Sequence, residues 1–190
     1  MLRQLLSIVA VVFVAIFPIR AQSTGRDKQE KPASSLKLEG RTDRRAYKMS
    51  EKILLETQLS NVGTSDVYIW NWDFCWNPAR GFSMYIKAKD GRPVQSQVLL
   101  DCLPPPPKPD TPYQFIKIAP REFHGTIDTF KVKDFINKPG EYYIEVTFNS
   151  FLSRDFIQKY FANDPIAKLP LWTMDNPTVN APPIHIVVTP

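Results

Sequence analysis

Aromatic rings recur at every second residue in one short stretch: Tyr68, Trp70, Trp72, Phe74 and Trp76. In an extended chain alternate side chains share a face, so these rings would line one side of a strand, roughly 6–7 Å apart. At 3.6 residues per turn a helix would scatter them around its circumference. Turned to solvent, Trp70, Trp72 and Trp76 would form a stacking platform for sugars or other flat ligands. Turned inward, the rings would fill the space between two layers of sheet. The opposite face carries Val67, Ile69, Asn71, Asp73 and Cys75, and burying Asn or Asp is costly unless it is paired. That favours the rings as core.

The other reactive side chains are few. Cys75 and Cys102 are the two cysteines, and in an oxidising compartment an even count predicts a disulfide between them. Closing a loop of that size should stabilise the fold by roughly 3–4 kcal/mol. A zinc site using these cysteines with His124 and His185 lacks the closely paired ligands of a zinc finger. His124 has Asp128 four residues on, but in a strand that spacing separates them along one face. Gly81-Phe82-Ser83-Met84-Tyr85 lacks the second Gly of a nucleophile elbow, and no Gly-rich phosphate loop or metal-spaced cluster is present. Arg41, Arg44, Arg45 and Lys48 make one basic cluster, in keeping with a solvated strand end. The formal charge of +5 is mild, with no Lys/Arg run of the density that nucleic acid requires. These residues predict no enzyme, no cofactor and no metal.

The elements that position these residues begin after an N-terminal address. Arg3 precedes an apolar run from Leu5 to Phe17, broken by Pro18 and followed by small residues around Ala21. This is the pattern of a secretory signal over residues 1–21, too short to span a bilayer comfortably. Residues 22–35 read as a polar linker and 36–190 as one domain, exported to the periplasm or the exterior. No stable membrane span is expected after cleavage.

Within that domain, strand signals follow at short intervals. Leu36 and Leu38 alternate with Lys37 and Glu39. Ile53, Leu55 and Leu59 alternate with Glu56, Gln58 and Ser60, up to a turn at Asn61-Val62-Gly63. Phe82, Met84, Ile86 and Ala88 form one inward face, and Asp90-Gly91 signals a two-residue type I′ hairpin. Pro93 then marks a sheet edge, with Val94, Val98 and Leu100 continuing the returning strand to Cys102. Pro104–Pro109 reads as a polyproline II crossover. Phe115–Ile118, Phe123–Val132, Tyr142–Phe148 and Ile184–Val188 supply further strands. Residues 151–182 form a long insertion, with a helix capped by Ser153 and carrying Phe156, Ile157, Tyr160 and Phe161 on one side. The fold class is therefore all-β: an immunoglobulin-like antiparallel β-sandwich with a long, partly helical insertion before its last strand.

Two stretches resemble known modules. Lys138-Pro139-Gly140-Glu141-Tyr142-Tyr143-Ile144 resembles the entry to the penultimate strand of bacterial extracytoplasmic Ig-like and fibronectin-like modules, with Tyr142 in the tyrosine-corner position. Tyr47-Lys48-Met49-Ser50-Glu51-Lys52-Ile53, followed by Leu59-Ser60-Asn61-Val62-Gly63, is similar to the opening of such modules, with Ser50 in place of the usual Gly. Ile144 stands where an antibody-type domain has its second core cysteine, so the resemblance implies no antibody-type bridge. The Ig-like proteinase-inhibitor family shares these features. The resemblance thus implies an Ig-like fold and offers proteinase inhibition as one function.

The reading that results is an exported, non-enzymatic domain that binds a protein or envelope partner. Its contact surface is expected on the insertion and its neighbours, around Trp76, Tyr160 and Trp172. The alternative is a carbohydrate-binding module using Trp70, Trp72 and Trp76.

Overall fold

Strand β3, Lys52–Asn61, sets the pattern for the first layer. Ile53, Leu55, Thr57, Leu59 and Asn61 are buried, while the residues between them face outward or are half-covered. It pairs antiparallel with β1, Leu36–Thr42, which lays Leu38 on Leu59, and on its other side with β7, Phe123–Lys131. The computed structural model describes residues 35–74, 81–94 and 115–190. Of these, most lie in antiparallel sheets with few helices.

A five-stranded sheet is built on β8, Gly140–Asn149, whose Tyr142, Ile144, Val146 and Phe148 are all buried. β5, Gly81–Ala88, pairs with it along one edge. Along the other run β10, Ile184–Thr189, and the short β9, Val179–Asn180. β2, Ala46–Lys48, runs parallel to β10 at the margin. A third, two-stranded sheet joins β4, Val67–Trp70, to β6, Phe115–Ile118. One hydrophobic cluster draws on all three sheets: Leu38, Leu55 and Leu59; Ile144, Phe148 and Ile186; Ile69 and Ile118. Each such side chain contributes about 1.5–3 kcal/mol by leaving water.

β4 continues β3 and β6 leads into β7, so the two-stranded sheet is the far arm of a bent ribbon. Asn61 occupies the bend and is fully buried. Its Nδ2 donates to Ser65 O (2.8 Å) and Ile118 O (2.9 Å), and its Oδ1 accepts from Gly63 N (2.9 Å). Its backbone N donates to Glu122 O and its carbonyl accepts from Arg121 N. Arg121 sits at φ 69°, the only non-glycine with positive φ among the described residues. A side chain in that conformation is held there by its surroundings.

Several expectations change. The aromatic stretch is not one long strand: β4 ends at Trp70, and Asn71–Phe74 forms a 3₁₀ turn. The alternation breaks because Asp73 turns inward, fully buried, and accepts from Ser150 Oγ (2.6 Å) and Phe151 N (2.7 Å). Within β4, Val67 and Ile69 join the core cluster, and Trp70 is buried with them. The hairpin at Asp90-Gly91 is not type I′. Gly91 N donates to Ala88 O, Ala88 N donates to Arg92 O, and only Gly91 has positive φ (83°). That is a three-residue loop ending in a glycine bulge. Cys75, Trp76, Cys102 and the Pro104–Pro109 run lie outside the described residues, as do residues 1–34.

The tyrosine-corner position has the expected bond: Tyr142, buried, donates its hydroxyl to Lys138 O at 2.7 Å. Tyr142→Phe removes that bond and leaves a carbonyl less well satisfied. Thermal unfolding should show a loss of about 1 kcal/mol. An unchanged midpoint would mean that the hydroxyl adds nothing.

Candidate functional site

Between β8 and β9, the chain folds back over the bent ribbon. Ser153 Oγ accepts from Phe156 N at the start of a helix over Arg154–Phe161. Asp164 Oδ1 then accepts from Ile166 N, opening a 3₁₀ turn over Pro165–Lys168. Tyr68 N donates to Pro170 O (3.1 Å) and Trp172 N to Tyr68 O (2.8 Å), so residues 170–172 lie alongside β4. Leu152, Phe161 and Trp172 are buried, and Met174 N closes the segment on Leu152 O.

This packing decides where the tryptophans go. Trp70 packs tilted against Phe156 at 5.1 Å, Phe156 tilted against Tyr160 at 4.7 Å, and Phe115 meets Phe161 edge-on at 5.6 Å. Trp70 and Trp172 are buried, and neither indole N–H has a hydrogen-bond partner among the described residues. Of the rings described in the aromatic stretch and this segment, Trp72 (38%) and Tyr160 (37%) keep substantial exposure. The row Trp70–Trp72–Trp76 is therefore not a continuous platform: Trp70 is inside, Trp72 sits in the 3₁₀ turn, and Trp76 is outside the described residues.

Among the described residues the strongest apolar exposure lies elsewhere, on the outer face of the β1–β3–β7 sheet. Register places Phe123 beside Ser60, Gly125 beside Gln58, Ile127 beside Glu56 and Thr129 beside Leu54. Phe123 is 62% exposed, Ile127 66% and Leu54 37%, and Val62 just past the end of β3 is 58% exposed. Sequence alternation alone left β7 ambiguous, since apolar residues occur at both parities: Phe123 and Ile127 at one, Phe130 and Val132 at the other. Pairing of Phe130 with Ile53 settles which face is inside.

Ahead of Phe130, the inner side of β7 carries the polar residues His124, Thr126 and Asp128. Thr126 Oγ1 lies 2.8 Å from Thr57 Oγ1 and donates to Asp128 Oδ2 (3.0 Å). His124 packs its ring on Phe74 at 4.2 Å, and burial holds its imidazole below the ordinary range. His124 is therefore a packing residue, uncharged at neutral pH. At the end of the strand Lys131 stands directly opposite Lys52 on the outer face. Like charges in that position repel. Neither lysine has an ion-pair partner among the described residues, nor does Arg121 at the other end of β7. Glu56, opposite Ile127 in register, is already held by Arg41 through two bonds of 2.8 Å.

The outer face of the five-stranded sheet differs. Lys87 pairs with Glu145 (2.7 Å) and Lys89 with Glu141 (2.9 Å), while His185 Nε2 lies 3.2 Å from Glu141. The Lys89 ammonium, with help from His185, holds the Glu141 carboxyl below its usual range. His185 faces outward, as the alternation of the last strand implies. Such exposed, charge-balanced pairs contribute little. Among the described residues no three His, Cys, Asp or Glu could hold a metal ion, and no helix is long and apolar enough to cross a membrane.

No family model and no curated protein matches the chain. Among solved structures, it is similar to the sporulation control protein Spo0M of Bacillus subtilis, with TM-score 0.43 and 11% identity over 83% of this chain and 50% of that one. It is similar to the CARDB domain of PF1109 from Pyrococcus furiosus, with TM-score 0.36 and 12% identity over 82% of this chain and 94% of that one. A β-glucosidase from Erythrobacter marinus also matches, with TM-score 0.38 and 10% identity over 82% of this chain but 15% of the enzyme. The chain thus spans half of the first of these and a small part of the last. None of these likenesses bears on what the chain does.

Proposed function

We propose that this chain is an exported, non-enzymatic immunoglobulin-like β-sandwich that acts by binding a protein partner through the outer face of its three-stranded sheet. The observation that carries this reading is the exposed row Phe123, Ile127, Leu54 and Val62 on one face. Phe123 and Ile127 share this face with Leu54, which lies diagonal to Ile127 in register, a grouping that suits an interaction site. Support for the sandwich comes from the cluster shared by the sheets and from the tyrosine-corner bond. Support for export comes from the sequence: a signal over residues 1–21, a linker over 22–35 and the cysteine pair Cys75 and Cys102. The segment 151–182 is then a long, partly helical insertion before the last strand.

A second contact surface lies on that insertion, because Tyr160 retains exposure there, as does Trp72 in the 3₁₀ turn after β4. One experiment separates the two. Immobilised wild-type chain, a Phe123→Lys/Ile127→Lys variant and a Tyr160→Lys variant are presented with the exported-protein fraction of the source organism. Captured proteins are quantified by mass spectrometry. The expected result is that a set retained by wild type and Tyr160→Lys is depleted at least about tenfold by the strand variant, as loss of a buried contact predicts. Identical capture by all three chains, or depletion by Tyr160→Lys alone, removes β7 as the contact.

A further inference from the structure

We propose that β7 takes up an extended acidic segment of its partner as a fourth strand of the β1–β3–β7 sheet. This rests on the preceding assignment of the outer face and specifies what occupies it. β7 is nine residues long and ends its sheet, with no strand on its far side among the described residues. In an antiparallel ladder, alternate residues of an edge strand direct N–H and C=O away from their neighbour, ready to pair with an incoming chain. Folded proteins usually blunt such edges. Here an inward Asp128 and a terminal Lys131 serve that purpose, yet Phe123 and Ile127 stay open between the charged ends.

Charge selects the occupant. Lys52 faces Lys131 at one end of the row, and Arg121 stands at the other. None of the three has an ion-pair partner among the described residues, and Glu56, opposite Ile127, is committed to Arg41. A second copy fits poorly. Antiparallel self-pairing that lays Phe123 on Ile127 turns about Gly125, which sets Arg121 beside Thr129 with Lys131 and Lys52 close by. Three cations from the two chains would gather at each end. An incoming strand with apolar residues at alternate positions and carboxylates at its ends meets the Phe123–Ile127 row and relieves the Lys52–Lys131 repulsion together. This is strand addition, in which main-chain bonds give affinity and alternate side chains give selectivity.

The test uses the full chain and a fluorescein-labelled peptide of alternating Val and Thr with two Glu at each end, followed by fluorescence anisotropy. Controls are the same peptide ended in Lys and one N-methylated at alternate amides. The expected result is saturable binding of the Glu-ended peptide, weakened by salt, with the Lys-ended peptide at least about tenfold weaker. The N-methylated peptide should not bind, and Lys52→Glu/Lys131→Glu should reverse the preference between ends. No binding, or equal binding of both ends, overturns the proposal. So does concentration-dependent self-association in sedimentation that Ile127→Lys abolishes, since the edge would then belong to a second copy. If Phe123→Lys/Ile127→Lys depletes captured partners while the charge reversal and N-methylation change nothing, the outer face stands as the contact and the strand-addition proposal falls. If that variant depletes nothing, both fall.

Discussion

Asn61→Asp is expected to cost about 4 kcal/mol at neutral pH, a large share of the roughly 5–15 kcal/mol that holds an ordinary domain together. The change is one atom in size, but it reverses the polarity of the bend. Nδ2 now donates to Ser65 O and Ile118 O. A carboxylate there would aim a second oxygen at two carbonyl oxygens in a site without exposure, and only the Gly63 N–H would remain to stabilise the charge. Burial and those carbonyls would push the new carboxyl's pKa well up. The penalty is then fully present above that raised value and is relieved as pH falls through it toward about 4, where the unfolded aspartate titrates. Asn61→Ala, which loses the bonds without adding charge, should cost about 3 kcal/mol and show no such relief. Urea unfolding of both variants between neutral pH and pH 5 checks this. An Asp variant that tracks the Ala variant at every pH sinks the idea.

Asp73→Ala should cost about 3 kcal/mol, because it leaves the Phe151 N–H and the Ser150 hydroxyl buried without their acceptor. For a domain of this size that is a fall of about 6–12 °C in the unfolding midpoint. The effect should also be local. Asp73 ties the 3₁₀ turn after β4 to the chain leaving β8, and Leu152 N in turn donates to Ser150 Oγ. Limited proteolysis of the variant should therefore open first within residues 151–178, before the sheets yield. A midpoint within 2 °C of wild type, by the same scaling, would show that the carboxylate is dispensable.

These two residues also mark where the sequence could and could not be read. Leu36–Leu38, Ile53–Leu59 and Tyr142–Phe148 were legible because each carries an apolar side chain at nearly every second position, Leu54 being the exception on the outer parity, and a half-buried strand leaves no other solution. β7 was not, since Phe123 and Ile127 carry the wrong parity for core, which is the same fact that makes its outer face a contact. The aromatic stretch failed for a different reason. Asp73 looks like surface until Ser150, far along the chain, supplies its partner, and no local pattern announces a bond across that separation. β2 and β9 are too short to show a period and exist through pairing with β10 and β8. Trp172 carries an apolar signal, but whether it is buried depended on residues 170–172 finding Tyr68.

The indole nitrogens of Trp70 and Trp172 engage no acceptor among the described residues, so that aromatic layer is held by shape and not by directional bonds. Over evolutionary time such a layer can drift, exchanging one large ring for another while its outline is kept. The amide at the bend and the carboxylate beneath the 3₁₀ turn have no comparable freedom. A lineage of related chains would then vary most where the rings are densest and least at two small polar residues that no composition survey would single out.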